Sequence, residues 1–343
     1  TDLALRHDTL VAATQGRAFW AIDDLFVVRQ APEGVGGQGV QLFDPGTVAM
    51  NLHLGGSADN FEGSNPESGV PLYYYLDQDA DTLLTIEILD SAGQPVRSYS
   101  SEETDFDRCR VANMDPRHPF ELEFPPAEQG LNKWMWDLRR DGVHCIEDVK
   151  IFAGFGGPRV LPGEYRARVS VGDQSAETPF TLIPDRRLVA TPQEMQDWST
   201  RLDETTALLD EILRRLGEAR NASAQVEALM AQYPDETGLQ QSGQEAIDAI
   251  TAWDHQLNQP LHETYEDEDA WETMLAGQVR YLLDVIDRTG APITGGQLER
   301  LADLQAEWAQ RRQDLQNISS DHLVPINKWA RDQGVPHVSV PGK

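Results

Sequence analysis

The spacing of hydrophobic residues divides this chain of 343 residues into two parts, and the change falls near Pro184-Asp185. Before that point, short runs of apolar and polar residues alternate with a period of two, which is typical of β-strands with one buried face. After it, apolar residues recur every three or four positions, which is typical of amphipathic helices. The pattern predicts an immunoglobulin- or fibronectin-like antiparallel β-sandwich followed by an antiparallel helical bundle.

Four segments are predicted from these changes: a β-ribbon at 1–30, a connector at 31–69, the sandwich at 70–183 and the bundle at 184–343. The connector is rich in Gly, Pro, Asn and Ser, which favours a loop laid over neighbouring surface. Strands are expected at Val40–Phe43, Pro71–Leu76, Leu83–Leu89, Pro95–Tyr99, Phe120–Phe124, Asn132–Leu138, Gly163–Val171 and Ala176–Ile183. About seven short strands separated by turns are typical of such a sandwich.

Helix boundaries are marked clearly in the second part. Thr191-Pro192-Gln193-Glu194 is a capping box with proline at the first helical position, and a helix of about 25 residues is expected to follow it. Thr294 and Gln297 form a second capping box. Apolar stripes predict further helices around Ile247–Leu257, Trp271–Val285, Leu298–Leu315 and His322–Arg331, with no strand over 191–334. Since they fall on these stripes, four indoles are expected to pack the bundle: Trp198, Trp253, Trp271 and Trp308.

The first thirty residues contain two β-prone runs, Thr9–Thr14 and Ala18–Ile22, joined by a turn-like Gln15-Gly16-Arg17. A two-stranded ribbon is marginal alone in water, so we expect it to pair with an edge of the sandwich or with another copy of the chain. That pairing would cover four apolar side chains: Phe19, Trp20, Ile22 and Leu25. The chain opens at Thr1 without an initiator methionine or a signal peptide, so a C-terminal piece of a longer protein is expected.

Three segments resemble one family of large exported bacterial proteins, which carry sortilin-type (BNR-like) propeller repeats and are usually labelled glycosyl hydrolases. Thr14–Asp24, followed by Val28-Arg29-Gln30, resembles the last propeller strands, with Gln15 where His is usual and Ala18 where Ser is usual. Gly130–Arg139 and Gly157–Val169 resemble the family's C-terminal region. The chain contains no Ser-x-Asp-x-Gly-x-Thr-Trp propeller box. The resemblance therefore implies a periplasmic or secreted location, with the hydrolase label belonging to the propeller.

Charge narrows the classes of partner. The formal net charge is −29, and only four of the 28 basic residues are lysines. Nucleic acids and anionic membrane surfaces need a concentrated basic surface, so neither is an expected partner. No apolar run approaches the roughly 18 residues needed to span a membrane. An acidic, lysine-poor surface keeps a protein soluble by self-repulsion, which fits a salt-tolerant source.

The two cysteines, Cys109 and Cys145, lie outside any CxxC or Cys/His ligand spacing, so a zinc site is not expected. In an exported protein the favoured interpretation is one structural disulfide, and two unpaired thiols are the alternative. The bond would tie the irregular excursion from Ser100 to Arg117 to the β-sheet.

Aromatic residues are the candidates for ligand contact. Trp134 and Trp136 share one face of a predicted strand, as do Tyr73 and Tyr75 on theirs. Such pairs are either core anchors of the sandwich or, if exposed, a platform that stacks on sugar rings or contacts a partner.

Acidic and histidine residues give weaker signals. Asp77-Gln78-Asp79-Ala80-Asp81 imitates the start of a calcium loop, but Thr82 and Ile88 stand where glycine and glutamate are required, which favours a solvated turn. The acidic run Glu263–Glu272 is explained by the start of a helix. The histidines His118, His144, His262 and His322 are scattered and lack the context of a catalytic triad.

No catalytic residue, cofactor or metal ligand is predicted. The favoured hypothesis is a non-catalytic C-terminal structural or interaction module of an exported propeller protein. Its partner would be the upstream propeller of the same polypeptide or another protein chain, and self-association stays open. The alternative is a carbohydrate-binding accessory module of a secreted glycoside hydrolase. An intact hydrolase is a third hypothesis, which would require a cluster of acidic or nucleophilic residues in a pocket.

Overall fold

The computed structural model describes all residues except 7, 32–38, 51–67, 116–120, 265–266, 268 and 343. Antiparallel β-sheets dominate the first part of the chain and helices the second, as the hydrophobic pattern predicts. The chain forms two compact units. The β-unit contains Thr1–Thr104, Glu121–Asp141 and Arg159–Val189, and the helical unit contains Asp105–Phe120, Gly142–Pro158 and Ala190–Lys343.

The β-unit holds eleven strands among its described residues, arranged in three sheets. The strands are β1 (Asp2–Arg6), β2 (Thr9–Ala13), β3 (Phe19–Ile22), β4 (Val40–Leu42), β5 (Thr47–Ala49), β6 (Val70–Leu76), β7 (Leu84–Asp90), β8 (Pro95–Ser100), β9 (Gly130–Trp136), β10 (Gly163–Val171) and β11 (Gln174–Ile183). Their orders are β1-β2-β3, β5-β11-β10-β7-β8 and β4-β6-β9. All pairs are antiparallel except β5 with β11, which is parallel.

One apolar core is shared by the five-stranded sheet and the β4-β6-β9 sheet. Strand β6 shows the alternation that builds it, because every second residue from Val70 to Leu76 is buried. Trp136 lies at the centre, fully buried, with its ring centroid 5.5 Å from Tyr165 and 5.9 Å from Phe180. Burial raises the pKa of the Tyr165 hydroxyl to about 12, and this hydroxyl donates a hydrogen bond to the backbone oxygen of Leu161.

Several local predictions were wrong. Glu121–Phe124, in the predicted Phe120–Phe124 strand, has no regular structure, because Pro125 and Pro126 follow directly and cannot donate to a ladder; Phe120 lies outside the described residues. Strands β1 and β5 were missed: β1 pairs with β2, and β5 is a three-residue strand inside the predicted connector that pairs with distant β11. Two helices were also missed, α1 (Phe26–Gln30) and α2 (Asp105–Ala112). The part of the connector at 32–38 and 51–67 lies outside the described residues.

Two of the later helices, those that follow Thr191 and Thr294, begin where the capping signals predict. The later helices are α3 (Pro192–Gln232), α4 (Thr237–Asp254), α5 (Leu275–Thr289), α6 (Gly295–Ile318) and α7 (Val324–Gln333), with a π-helical turn at Ser319–Leu323 before α7. Both capping boxes are formed, at Thr191 with Glu194 and at Thr294 with Gln297. Among the described residues of 191–334 there is no strand.

Helix α3 is 41 residues long, well beyond the predicted length. Its apolar stripe continues past Ala219 through Ala222, Val226 and Leu229, all of which are buried. The helix ends before Pro234, whose ring disfavours a helical conformation in the preceding residue.

Three of the four predicted indoles pack the helical unit. Trp198, Trp253 and Trp308 are buried, and their indole nitrogens donate to Ile286 O, Arg311 O and the Glu211 carboxylate. Trp271 is 49% exposed, so the prediction that it packs the bundle was wrong. It precedes the first residue of α5, and the stripe of that helix begins at Leu275 instead.

The disulfide joins two inserts that group with the helices. Cys109 on α2 and Cys145 are bonded, with their Cα atoms 6.1 Å apart. Both residues belong to the helical unit, so the expectation that this bond ties an excursion to the β-sheet was wrong. The bond links Asp105–Phe120 to Gly142–Pro158, two segments that lie within the sequence range of the β-unit.

Polar side chains hold the backbone of the second insert. Asn113 donates its amide to Ile146 O at 2.7 Å and accepts from Val149 N at 3.0 Å. From the long helices, Arg220 donates to Glu147 O at 2.9 Å and Arg280 donates to Ala153 O at 3.0 Å. These bonds satisfy backbone carbonyls that a non-helical insert would otherwise leave unpaired. The inserts are thus part of the helical unit's structure.

We expect replacement of both cysteines by serine to lower the free energy of unfolding by about 4 kcal/mol, since the bond closes a loop with a sequence separation of 36. Urea denaturation of the double variant and of Ala112→Ser, a matched surface substitution on α2, measures the difference. A loss below about 1 kcal/mol in the double variant contradicts the assigned role of the bond.

The two indoles with opposite burial give a second prediction. Trp253→Ala removes a side chain that is 1% exposed and should cost about 3–5 kcal/mol. Trp271→Ala removes a half-exposed ring and should cost below about 1 kcal/mol. Equal losses for the two variants in thermal or urea unfolding contradict this placement.

Candidate interaction surface

The N-terminal residues form a three-stranded antiparallel sheet in place of the predicted two-stranded ribbon. Strand β2 lies in the centre, pairing Leu5 with Leu10 on one side and Leu10 with Ile22 on the other. Among the described strands, this sheet pairs with no strand outside itself. The prediction that the ribbon joins an edge of the sandwich was therefore wrong, because β1 supplies the pairing partner that sequence reasoning had missed.

One face of this sheet is wholly apolar. Cross-strand partners point to the same side, so the register places six side chains together. We call this the leucine face, and it consists of Leu3, Leu5, Leu10, Ala12, Trp20 and Ile22. Four of them are largely solvated: Leu3 is 67% exposed, Leu5 62%, Trp20 59% and Ile22 58%. Contiguous exposed apolar residues of this kind mark interaction sites.

The opposite face is also mainly apolar, but most of its apolar side chains are alanines. The same register places on it five apolar residues that we call the alanine face: Ala4, Val11, Ala13, Phe19 and Ala21. Three polar residues, Asp2, Arg6 and Thr9, lie on the same side of the sheet. Phe19 is 77% exposed. Residues 1–30 carry four carboxylates against three arginines, so this segment is nearly neutral within a chain of net charge −29.

A short connector anchors this sheet within the β-unit. Asp24, whose φ of +60° reverses the chain after β3, accepts a hydrogen bond from the Tyr73 hydroxyl at 3.1 Å. The Phe26 ring on α1 lies edge-on to Tyr73, with centroids 5.8 Å apart. Burial and the Asp24 carboxylate both raise the pKa of Tyr73. At the other end of α1, the Gln30 amide and the Asp44 backbone exchange two hydrogen bonds of 2.7 and 2.8 Å.

The four aromatic candidates do not form one platform. Trp134 and Trp136 face the shared core: Trp136 is fully buried, and half-buried Trp134 packs edge-on against Tyr99 with centroids 5.2 Å apart. Tyr73 and Tyr75 are half-buried on the other face of β6, where Tyr73 already contacts Phe26 and Asp24. Because the Trp136 ring has no exposed surface, a sugar cannot stack on this tryptophan pair.

The acidic and histidine candidates have structural partners. Asp77 accepts from Gly39 N at 2.9 Å and Asp79 from Gln129 N at 2.7 Å, so these carboxylates cap backbone groups at a turn. In the acidic run, Asp267 accepts from the backbone of Glu263 and Thr264. No group of three or more His, Cys, Asp or Glu among the described residues could hold a metal ion.

The histidines are dispersed. His144 lies near Asp210, which accepts from its backbone N–H at 2.7 Å, and burial followed by the nearby Arg214 charge lowers its pKa. Buried His262 has its Nδ1 atom 3.5 Å from Lys150 O, and His322 lies in the π-helical turn. His118 lies outside the described residues.

Neither the described helices nor comparisons with known proteins identify a further site. Within the described residues, none of the helices combines the length and the apolar composition that a membrane span requires. The chain matches no protein-family model, and a search of the curated proteins finds no match.

We expect the leucine face to dominate the accessible apolar surface of the chain. Leu5→Asp combined with Trp20→Asp should remove most of the fluorescence of a bound hydrophobic dye such as ANS. Val189→Asp, at a residue that is 91% exposed and outside this sheet, is the matched control and should leave the signal nearly unchanged. Equal effects in the two variants contradict a continuous apolar surface on β1–β3.

Proposed function

We propose that this chain is a non-catalytic structural and interaction module of an exported bacterial propeller protein. The observation that carries the proposal is the β1–β3 sheet, which is wholly apolar on its leucine face and mainly apolar on the opposite side, around the alanine face. A sheet at a protein surface needs only one apolar face. Two apolar faces are suited to a position between two other layers.

Propeller blades satisfy this requirement, since each blade is a small antiparallel sheet packed face to face with the blades on either side. In the proposed assembly β1–β3 are strands of such a blade, and their partner is the rest of the propeller, in the same polypeptide or in another chain. The resemblance of Thr14–Asp24 to the last propeller strands of sortilin-type proteins is a separate argument for the same partner. A periplasmic or secreted location, where the Cys109–Cys145 disulfide persists, is part of this proposal.

In this proposal, the two larger sheets and the helices are the domains to which the β1–β3 blade is attached. We interpret the five-stranded sheet and the β4-β6-β9 sheet, with their shared core, as an immunoglobulin-like β-sandwich. We interpret α3 to α7 as a helical bundle, because long amphipathic helices with short connections pack in this way.

The experiment compares one substitution in two lengths of polypeptide. In the 343-residue chain, Ile22→Asp should cost below about 1 kcal/mol, since the side chain is already solvated. In the protein encoded by the full reading frame, the same substitution should cost roughly 3 kcal/mol or more, because it buries an unpaired carboxylate between sheets.

Val189→Asp, introduced into both lengths, is the control and should be silent in each. Two results contradict the proposal. One is a reading frame without propeller repeats before Thr1, together with no partner that protects β1–β3. The other is an Ile22→Asp penalty that is the same in the long and the short polypeptide.

A further inference from the structure

The C-terminal tail, residues 335–342, is held on α7 in the manner of a bound peptide. The Asn327 amide donates to Val338 O at 2.8 Å and accepts from Val338 N at 2.6 Å. A single side chain thus satisfies both backbone groups of one residue, as a neighbouring strand does at a hydrogen-bonded pair. In an extended backbone, the N–H and C=O of one residue point to the same side. Asn327 therefore binds Val338 in a strand-like conformation.

A second amide holds the next residue from α3. Gln225 accepts from Ser339 N at 2.8 Å, and its amide nitrogen donates to Ser339 Oγ at 2.8 Å. Closer to the N terminus of α3, the Glu218 carboxylate accepts a hydrogen bond from Gly342 N at 2.9 Å. Four of these five hydrogen bonds between Asn327, Gln225 or Glu218 and the tail engage tail backbone atoms. They would therefore be available to an extended segment of different sequence.

Two side chains of the tail are buried, and we call the place that Val338 occupies its seat. Val338 is 2% exposed, and Pro341 is also buried, while Val335 and Val340 are only half-buried. Beside the tail, a cavity of about 620 Å³ is lined by Val324, Asn327 and Arg331 of α7 and by tail residues. This cavity adjoins the tail on the side of α7. We call the surface of α7 and α3 that contacts the tail the groove.

The junction between α7 and the tail allows the tail to leave without disturbing the helix. Gly334 ends α7 in the left-handed conformation, with φ +71°, and its N–H together with Val335 N closes the helix onto Ala330 and Arg331. These capping bonds do not involve residues 336–342. Release of the tail beyond Val335 would thus expose the groove and leave the helix cap intact.

We propose that the groove between α3 and α7 is a binding site for extended protein segments, and that the chain's own tail fills it when no partner segment is present. The partner segment is one that presents an apolar residue of valine size, with its backbone N–H and C=O free to pair with Asn327. Amide-to-backbone pairing supplies sequence-tolerant affinity, and the seat of Val338 supplies selectivity, as in strand-addition recognition. This site is separate from the leucine face and does not depend on the propeller proposal.

The test uses the full chain with a weakened tail. Val338→Asp places a carboxylate in the apolar seat and should release the tail, leaving the groove open. The probe is a fluorescent peptide with the sequence of residues 334–342, and binding is followed by fluorescence anisotropy. The peptide should bind Val338→Asp at least about tenfold more tightly than the wild-type chain, since the tail of the wild type competes for the same groove.

Adding Asn327→Ala to Val338→Asp should weaken peptide binding by about tenfold, the factor expected for losing a pair of neutral hydrogen bonds. Asn317→Ala, at an exposed asparagine on α6, is the matched control and should not change the affinity. Equal peptide affinity in Val338→Asp and wild type, or binding that ignores Asn327→Ala, overturns the proposal.

Hydrogen exchange on the wild-type chain keeps the proposal testable if Val338→Asp does not fold, which circular dichroism would reveal. The amides of Val338 and Ser339 should exchange at least about tenfold faster than the central amides of α7, because the tail opens separately. Exchange of tail and helix at one common rate would show that the tail is an integral part of the unit, and that result refutes the proposal.

Discussion

Apolar surface must be removed from water, and this constraint acts on both faces of the β1–β3 sheet at once. In the larger sheets of the β-unit the constraint is met internally, since Val70, Leu72 and Trp136 face a shared core. In β1–β3 it is not met within the described residues, where Leu5 and Trp20 on one face and Phe19 on the other are largely solvated. The interaction role proposed for the chain follows from this contrast between sheets of the same unit.

The helical unit includes two segments that lie within the sequence range of the β-unit. Asp105–Phe120 and Gly142–Pro158 group with α3 to α7, joined to each other by Cys109–Cys145 and held through backbone contacts from Arg220 and Arg280. The same device recurs at the C terminus, where Asn327 and Gln225 bind the backbone of the tail. At these contacts, side-chain amides and guanidinium groups pair with backbone groups that secondary structure leaves unpaired.

Sequence reasoning succeeded where the signal is local. The capping boxes at Thr191 and Thr294 and the alternation in Val70–Leu76 are set by neighbouring residues, and all three form as expected. It failed where pairing or packing is distant. Asp2–Arg6 is a strand only because β2 lies beside it, and Trp271 is exposed because the loop before α5 carries it away from the core. The sequence does not predict where the tail binds, since Asn327 and Gln225 are ordinary polar positions on helices.

Covalent footprinting can show whether the leucine face is covered by the proposed propeller. Hydroxyl radicals label solvated leucine, isoleucine and tryptophan side chains, so the leucine face can be followed in the 343-residue chain and in the protein encoded by the full reading frame. We expect strong labelling of Leu3, Leu5, Trp20 and Ile22 in the 343-residue chain and strong protection of all four in the protein encoded by the full reading frame, with Val189 labelled equally in both. Undiminished labelling of the leucine face in the protein encoded by the full reading frame would contradict the proposed role of this sheet.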